Sequence, residues 1–382
     1  MLNNQSNEGY ELKYKEENKL NMITENNNLK VSTPGRICLF GEHQDYLGLP
    51  IIAAGISRRV TITGARRDDK LVTIYMPDID DKDTFEITDE IKYVKPRDYF
   101  RSVVNVLQRE GYRFSSGFDL TIKGDIPINS GTSSSSALIV TWVNFLIQMA
   151  DNYQPVSQQI IGELAYQAEV LEFGEPGGMM DQYSTALGNI IYMESEPQIS
   201  INSYSPALGT FVLGDSKEPK DTINILKHVK FGMLDILKKI SDFDPKFDLK
   251  TSPKESVQNY VSLLTDDELL LLAGNLSDRD VLLEAKEMFE KGAIDDVRFG
   301  ELLTIHQNSL RDAKKVSTPK INRMIDASLK AGALGAKING SGGGGCMFAY
   351  APKNPELVAE AIEKEGGIAY IITIGDGTKV DR

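Results

Sequence analysis

A loop rich in glycine and serine that leads directly into an apolar run is the feature of this sequence that most constrains its fold. The loop spans residues 124–137 and reads GDIPINSGTSSSSA, and the apolar run continues to Ala150. The first N–H groups of a helix lack intrahelical partners and the helix dipole favours negative charge there, so a helix starting here suits a polyphosphate. Gly131 lets the loop wrap an anion closely, and the serines add hydroxyl donors. A serine turn that only caps the helix explains the pattern equally well.

The composition indicates a soluble globular protein with room for two domains. The chain has 382 residues, of which 41% are hydrophobic and 25% charged, and it contains two cysteines, Cys38 and Cys346. We expect a cytoplasmic protein with no membrane partner, because the cysteines are too few for a disulfide framework and neither a membrane-spanning run nor a secretory leader is evident. The net charge of −13 argues against nucleic acid as a partner, since such a surface needs a basic stripe. The chain is expected to be a monomer or a homodimer.

Strand-like and helical patterns divide the chain into parts. Residues 1–28 are polar and are expected to form a disordered tail. Residues 29–205 contain several strand-like runs together with the loop and its helix, whereas residues 206–382 are helical over most of 221–329. The closing strand patterns lie at 336–339, 346–350 and 369–374. Strands, then helices, then strands again predict an α+β architecture of two domains that meet near residue 205.

Three familiar nucleotide-binding patterns do not fit this sequence. The P-loop motif Gly-x4-Gly-Lys-Ser/Thr is absent, and with it the lysine that reaches the terminal phosphates. Gly340, Gly342 and Gly345 satisfy Gly-x-Gly-x-x-Gly, but a strand-like run follows them where a dinucleotide fold needs a helix. His43 and Asp45 resemble part of a protein-kinase catalytic loop, but the asparagine of that motif and a following Asp-Phe-Gly are missing.

Three further segments concentrate polar groups or glycines. Residues 34–48 place charged and aromatic side chains around a short apolar strand, which suits a ligand with many hydroxyl groups, although a charged turn at a domain edge has the same composition. In residues 168–183, Asp181 follows a glycine-rich turn. Its carboxylate either faces a hydroxyl of a bound ligand or caps a helix. Residues 335–345 contain six glycines in eleven positions. This exceeds the need of a flexible hairpin and indicates close approach of backbone to a ligand.

Together, and in this order, these segments resemble the GHMP kinase family, named for galactokinase, homoserine kinase, mevalonate kinase and phosphomevalonate kinase. Residues 127–137 resemble the family phosphate loop Pro-x3-Gly-Leu-Ser-Ser-Ser, and residues 337–346 resemble its C-terminal glycine motif. Residues 34–48 are similar to the galactokinase signature that contains Gly-Glu-His-Thr-Asp-Tyr-Asn-Gly, and residues 174–183 to the galactokinase run Gly-x-Pro-Cys-Gly-Ile-Met-Asp-Gln-Phe. The ordered combination is far more specific than any single motif.

The resemblance implies an α+β fold of two domains with the active site between them. The N-terminal domain is implied to have ribosomal-S5-like α/β topology, and the C-terminal domain to be a ferredoxin-like α+β unit. The implied catalytic residues are Asp181, as base or electrostatic partner for the sugar 1-hydroxyl, and Arg36, which orients and stabilises it. The implied sugar-binding residues are Glu42, His43, Asp45 and Gly178.

The resemblance also implies ATP and Mg²⁺ as cofactors, and phosphorylation of the anomeric hydroxyl of a sugar, with galactose converted to galactose 1-phosphate. Ser135 and Glu169 match the positions that hold Mg²⁺. The implied ATP-binding residues are Gly131, Thr132, Ser133, Ser134, Ser135, Ser136, Gly342 and Gly343. Phosphoryl transfer depends mainly on alignment and charge stabilisation, which loop amides and a metal ion supply.

The chain departs from galactokinases at several places, including Cys38 in place of asparagine and Gln44 in place of threonine. Residues 47–49 read Leu-Gly-Leu instead of Asn-Gly-Gly, and residues 213–222 lack the Tyr-Asn-x-Arg-Arg run and look more like a mevalonate kinase. A GHMP kinase for another sugar or for mevalonate is therefore an alternative, and so is a catalytically silent regulator that binds sugar and ATP. The polar cluster at 42–45 favours a sugar over mevalonate, and the presence of Arg36 and Asp181 argues against a pure regulator.

Overall fold

A computed structural model describes the chain at residues 28–128, 131–175, 177–219, 225 and 227–381. The predicted disordered tail therefore lies outside the described residues except for Asn28. Within the described part of the chain, none of the helices is both long and apolar enough to cross a membrane.

Strands and helices alternate along the first half of the chain. Its elements are β1 (Leu29–Phe40), β2 (Ile51–Arg66), β3 (Leu71–Met76), β4 (Asp81–Glu86), α1 (Tyr99–Arg109), β5 (Phe118–Gly124), α2 (Ser134–Gln148), α3 (Gln158–Tyr166), α4 (Met180–Leu187), β6 (Ile190–Glu194) and β7 (Ser200–Tyr204). A π-helical turn, Gln167–Leu171, extends α3.

The second half contains long helices between short strands. Its elements are β8 (Phe211–Asp215), α5 (Gly232–Phe243), α6 (Asp266–Lys291), α7 (Asp296–Asp312), α8 (Pro319–Lys330), β9 (Gly335–Ile338), β10 (Cys346–Tyr350), α9 (Pro355–Lys364), β11 (Ile368–Ile372) and β12 (Lys379–Asp381). A π-helical turn, Lys227–Phe231, precedes α5. Capping signals set the helix starts: the Thr265 hydroxyl accepts from the Glu268 N–H and the Glu268 side chain accepts from the Thr265 N–H, so α6 begins with a capping box.

The larger sheet runs in the order β12-β1-β2-β5-β3-β4, and β6 and β7 extend it from β2, which makes eight strands among the described residues. The sixteen-residue β2 pairs with β1, β5 and β6, because it is long enough to have different neighbours at its two ends. Trp142 of α2 is buried and stacks on Phe145 beneath this sheet, as expected for a core residue.

The smaller sheet is antiparallel in the order β11-β8-β10-β9, counting the described strands. The change from one sheet to the other falls between Tyr204 and Phe211. The mixture of helices and sheets is the α+β class that the sequence predicts. A central cluster of apolar residues from β1 and β2 packs against α6, α7 and β10, so the two halves share part of their core.

The last strand of the chain pairs with its first strand. Strand β12 pairs antiparallel with β1, with Val380 opposite Val31. These last residues therefore belong to the larger sheet and not to the smaller one. The division of the chain into domains at 29–205 and 206–382 stays a prediction. The strand is only three residues long and carries charged residues, and its pairing with a strand at the other end of the chain leaves no local pattern in the sequence.

Candidate active site

The two glycine loops meet at Arg36 of β1. The register of β1 against β2 shifts between Pro34 and Arg36, and such bulges re-aim side chains beside functional sites. The Arg36 guanidinium donates through Nη1 to the carbonyl oxygen of Gly131, and the Arg36 N–H donates to the Thr132 carbonyl at 3.0 Å. Asn339, which follows β9, also donates to the Gly131 carbonyl, at 2.9 Å. The first loop is therefore held from both halves of the chain.

The serine loop leads into α2 with its first turn open to a ligand. Gly131 and Ser133 both have positive φ, 94° and 57°, a conformation that is strained for serine. The Ser133 hydroxyl is buried and has no protein partner among the described residues. Ser134 and Ser135 begin α2, where the backbone N–H groups have no intrahelical acceptor. The Ser133 hydroxyl and the backbone N–H groups that lack an acceptor form the set of donors that a phosphate group requires.

Of the predicted ATP-binding residues, Gly131 to Ser136 lie together at this helix start. Gly342 and Gly343 lie in the second glycine loop, in which every glycine from 342 to 345 has positive φ. The Gly343 N–H donates to the Val316 carbonyl at 2.7 Å, and a Cβ on Gly342 would come within 2.6 Å of the same oxygen. These two glycines thus shape the loop against Val316, and their contact with ATP stays a prediction.

Arg36 and Asp181 form an ion pair beside the serine loop. Arg36 contacts the Oδ1 atom of Asp181 through Nη2 at 2.7 Å and through Nε at 2.9 Å. The Arg36 side chain is 5% exposed and the Asp181 side chain 34% exposed. Burial by itself lowers the pKa of Arg36, but the charge and hydrogen bond of Asp181, together with the charges of Cys38 and Glu42, outweigh burial and the pKa is raised. A permanently charged guanidinium thus holds an accessible carboxylate in one orientation.

His43 joins the turn after β1 to the second glycine loop. Its Nε2 lies 2.9 Å from the Ser341 carbonyl oxygen, and its Nδ1 lies 3.0 Å from the Tyr46 hydroxyl. Because a carbonyl only accepts, we assign the proton to Nε2 and let Nδ1 accept from Tyr46. Burial, followed by the charge of Lys314, lowers the pKa of His43 to about 3. The imidazole is therefore neutral and fixes the turn in place.

Asp45 lies beside Gly178 and near Asp181. A Cβ added to Gly178 would lie 1.8 Å from the Asp45 Oδ2 atom, so only glycine leaves room for this carboxylate. Burial, together with the neighbouring charge of Asp181, raises the pKa of Asp45, and the charge of Lys230 opposes the shift. Two carboxylates thus face the same space, one of them already paired with an arginine.

Lys230 is a candidate site residue that the sequence did not reveal. It lies in the π-helical turn before α5, and its Nζ is 5.1 Å from the centroid of the Tyr46 ring. Its charge also acts on Asp45. No motif surrounds this lysine, which is one of several in a Lys-rich stretch, so only the tertiary structure distinguishes it.

Glu42 is buried more deeply than Asp45 and Asp181. Its side chain is 1% exposed and forms an ion pair with Lys337 of β9 in the interior. It was predicted with His43 and Asp45 as a sugar-binding residue, and of these three it is the one enclosed by charged residues from the second half of the chain.

Glu169 and Ser135, the predicted Mg²⁺ ligands, lie close together. Burial raises the pKa of Glu169 to about 7, and hydrogen bonds from Gln182 and the hydroxyls of Ser136 and Ser135 oppose the shift. Among the described residues no group of three or more histidine, cysteine and acidic side chains could hold a metal. Mg²⁺ needs few protein ligands when phosphates supply the rest, and a cation relieves the cost of a buried carboxylate, so the residues fit this ion.

Three family models match the chain, and together they cover more than half of it. The model of the GHMP kinases N terminal domain matches residues 98–189, and that of the GHMP kinases C terminal domain matches residues 286–368. The chain belongs to the GHMP kinase family, whose members use ATP as a substrate. The galactokinase galactose-binding signature matches residues 24–66, which include Arg36 and the turn after β1.

Individual relatives include enzymes for two different substrates. A mevalonate kinase of Thermococcus gammatolerans is 28% identical over 92% of this chain and 97% of its own length. A galactokinase of Actinobacillus succinogenes is 27% identical over 91% of this chain and 94% of its own length. The crystal structure of Lactococcus lactis galactokinase complexed with galactose superimposes with a TM-score of 0.79 at 23% identity, covering 95% of this chain and 98% of that one. The two-domain GHMP kinase fold is thereby confirmed.

Proposed function

We propose that this chain is an ATP-dependent sugar kinase that phosphorylates the anomeric hydroxyl of galactose. The observation that carries the proposal is the Arg36–Asp181 ion pair, which lies where the two glycine loops meet and beside Asp45. Transfer of a phosphoryl group to a sugar hydroxyl needs a carboxylate whose orientation is restricted. It also needs a phosphate-binding loop and a second polar acceptor next to that carboxylate.

The phosphates of ATP bind at the start of α2 in this proposal. The open amides of the first turn and the unpartnered Ser133 hydroxyl support it, because they supply donors without a competing protein acceptor. Glu169 and Ser135 would hold Mg²⁺, which would supply positive charge to neutralise the phosphates. The base of the nucleotide is assigned to a small cavity along α1 and α2, lined on its apolar side by Tyr99, Leu138 and Trp142.

Asp181 receives the proton of the sugar hydroxyl. Arg36 contacts Oδ1 through two nitrogens, so we assign Oδ2 as the proton acceptor. An anomeric hydroxyl is more acidic than an ordinary alcohol, and a nearby carboxylate is therefore a sufficient acceptor. Asp45 and Lys230 are the proposed contacts to the remaining hydroxyls, because each is polar, at least half-buried and near this carboxylate or its neighbours. Both ring nitrogens of His43 have protein partners, so His43 holds the turn that carries Asp45.

A mevalonate kinase, or a kinase for another sugar, is the second candidate. The similarity to a mevalonate kinase over nearly the whole chain favours it. The segment at 213–222, which lacks the galactokinase tyrosine, favours it too, although residues 220–222 lie outside the described residues. Two carboxylates and a lysine around the proposed acceptor site favour a substrate with several hydroxyls, and therefore a sugar.

The deciding experiment measures ADP release by the purified protein with Mg-ATP against galactose, a panel of other free sugars and mevalonate. Turnover with galactose, with the product identified as the 1-phosphate, supports the leading proposal. Turnover with only another compound supports a kinase activity but assigns it a substrate other than galactose. Absence of turnover together with intact binding of ATP and galactose supports a regulator instead.

A further inference from the structure

Asn339 is a fully buried polar residue at the point where the second glycine loop begins. It follows β9 directly, and its backbone N–H donates to the Cys346 carbonyl at 2.9 Å, which closes the base of the loop. None of the roles proposed above for catalysis or binding uses its side chain. The smaller sheet therefore fixes the backbone of Asn339, while its carboxamide is free to act on the other half of the chain.

The carboxamide of Asn339 links β1 to the serine loop. Its Oδ1 atom accepts from the Cys38 N–H at 2.9 Å, and its Nδ2 atom donates to the Gly131 carbonyl oxygen at 2.9 Å. A primary amide suits both partners, because it carries an acceptor and a donor on one planar group. The two partners also assign the oxygen and nitrogen atoms, since a reversed amide would set donor against donor and acceptor against acceptor.

These contacts lie along the edge of β1 that faces away from β2. On this edge β12 pairs with β1 only at residues 30–32, so the buried N–H groups further along the strand need other acceptors. The Arg36 N–H donates to the Thr132 carbonyl at 3.0 Å, and the Cys38 N–H, two residues on, donates to Asn339. The serine loop and Asn339 thus lie side by side on β1, where a neighbouring strand would otherwise pair.

The Gly131 carbonyl is the point that the two glycine loops share. It accepts from Asn339 and from Nη1 of Arg36, and a Cβ on Gly340 would lie only 3.1 Å from it. The next carbonyl, that of Thr132, is bound to β1 as well. A carbonyl oxygen that faced a phosphate group would repel it. Because both carbonyls are bound to protein donors, the loop presents its N–H and hydroxyl groups at the start of α2 instead.

We propose that Asn339 is a positioning residue for the nucleotide, and that its carboxamide holds the serine loop on β1 in the conformation that binds the phosphates of ATP. The inference rests on the proposed function, because it concerns the phosphate site. Arg36 binds the same Gly131 carbonyl and pairs with Asp181, so a shift of this carbonyl also displaces the proposed proton acceptor. Loss of the carboxamide therefore impairs ATP binding and turnover more than it impairs sugar binding.

The test compares Asn339→Val with Asn339→Thr, two side chains of nearly the same shape that differ in one hydroxyl group. Valine leaves the Cys38 N–H without its acceptor and the Gly131 carbonyl without one donor, whereas the threonine hydroxyl still donates and accepts. We expect Asn339→Val to bind ATP about tenfold more weakly and to lose about 10–100-fold in kcat, with the sugar KM little changed. We expect Asn339→Thr to bind ATP about threefold or more tightly than Asn339→Val.

Two measurements give these quantities, each made well below the Tm of the variant. Calorimetry gives the affinity for ATP in the absence of sugar, and steady-state kinetics give kcat and both KM values. Asn354→Val is the matched control, because Asn354 is exposed before α9 and its side chain makes no capping hydrogen bond. This control leaves the ATP affinity and kcat unchanged.

A purely structural role of Asn339 predicts a different pattern. In that case Asn339→Val lowers the Tm, but the folded variant keeps the ATP affinity and kcat of the unmodified protein, and this result overturns the inference. Equal losses in the valine and threonine variants overturn it too. If Asn339→Val does not fold, Asn339→Ala and Asn339→Ser are compared in the same way, since they also differ in one hydroxyl group. Failure of the proposed function is seen separately, as absence of sugar turnover by the unmodified protein, and the ATP affinities still test the inference.

Discussion

At the scale of single residues, the proposed chemistry depends on how Arg36 restricts Asp181. Both contacts from the guanidinium go to the same carboxylate oxygen, and the arginine also binds the Gly131 carbonyl. The orientation of the carboxylate is therefore coupled to the position of the serine loop. This coupling brings the proposed proton acceptor and the proposed phosphate site into one rigid arrangement, which is what in-line transfer demands.

Asp181→Asn is expected to keep substrate binding and to lose most turnover. The amide retains the shape of the side chain but is a poor proton acceptor, so we expect kcat to fall by about 10²–10⁴-fold with the sugar KM little changed. Steady-state kinetics measure both quantities. Asp45→Asn is the control, since a residue that only binds the sugar changes mainly the KM. A near-normal kcat in Asp181→Asn would remove this residue from the role of base.

Gly178→Ala is expected to weaken sugar binding through Asp45. The new methyl group would lie 1.8 Å from the Asp45 Oδ2 atom, so the carboxylate must move. We expect the sugar KM to rise about tenfold, the equivalent of one hydrogen bond, with Tm nearly unchanged. Gly177→Ala is the matched control, because its methyl group meets Val170 at an ordinary distance of 3.7 Å. Equal effects of the two substitutions would contradict the role given to Asp45.

At the scale of elements, β1 organises the site from within the larger sheet. It carries Arg36 at a bulge, leads into the turn with His43 and Asp45, and is bordered by β2 on one side and by β12 on the other. The end of the chain is anchored just before β12, where the Thr378 hydroxyl accepts from Thr33 at 2.8 Å and from Asn144 at 2.9 Å. The C-terminal segment therefore stabilises the strand that carries Arg36, the proposed catalytic arginine.

Thr378→Val is expected to destabilise the protein without touching the site. The substitution preserves shape but leaves the buried Thr33 hydroxyl and Asn144 amide without their acceptor. We expect the free energy of unfolding to fall by about 2 kcal/mol, measured by urea denaturation. Thr84→Val, at an exposed position of β4, is the control. A loss no larger than that of the control would show that the end of the chain contributes little to stability.

At the scale of the whole molecule, the halves of the chain are joined by an interior that is partly charged. A buried charged cluster lies between β1 and the helices of the second half, and it consists of Glu42, Asp278, His306, Lys314 and Lys337. The apolar cluster of β1, β2, α6 and α7 continues beside it. Burial, followed by the charges of Lys337 and Lys314, holds the pKa of His306 well below its ordinary value of 6.5. The folded protein thus keeps a neutral imidazole at the junction of its two halves.

This histidine is expected to make stability decrease in acid. Below about pH 6.5 the unfolded chain protonates the imidazole and the folded chain does not, so the stability due to His306 is complete above that pH and lost as the pH falls. At about pH 5.5 the loss is about 1.4 kcal/mol. Urea denaturation of His306→Gln should show a correspondingly smaller decrease between about pH 7.5 and pH 5.5.

Two comparisons isolate the effect of His306. Burial raises the pKa of Asp278, so this carboxyl makes the protein more stable as the pH falls. Asp278 is present in both the unmodified protein and His306→Gln. The difference between their pH dependences of stability therefore reports the histidine. His228→Gln, at an exposed position, makes the same substitution outside the cluster. An unchanged pH dependence in His306→Gln would contradict a neutral buried imidazole.

Some parts of the site could be predicted because their requirements are local. The serine loop needs Gly131 at positive φ and a helix immediately after it, and both are present. Arg36, Asp181, Ser135 and Glu169 lie in motifs, and the structure brings each pair together. Their roles stay predictions. Trp142 is a core residue, as its place on an apolar helix indicated.

The sequence by itself determined the family, the α+β class and the two glycine loops, because these follow from residue types at short spacings that restrict the backbone directly. Only the tertiary structure decided that Glu42 is enclosed, that Lys230 reaches the site and that β12 completes the larger sheet. Glu42 and Lys337 are 295 positions apart, and nothing in either neighbourhood specifies the other. Burial and pairing are properties of the packed chain, since the free energy of a charged side chain depends on which groups surround it after folding.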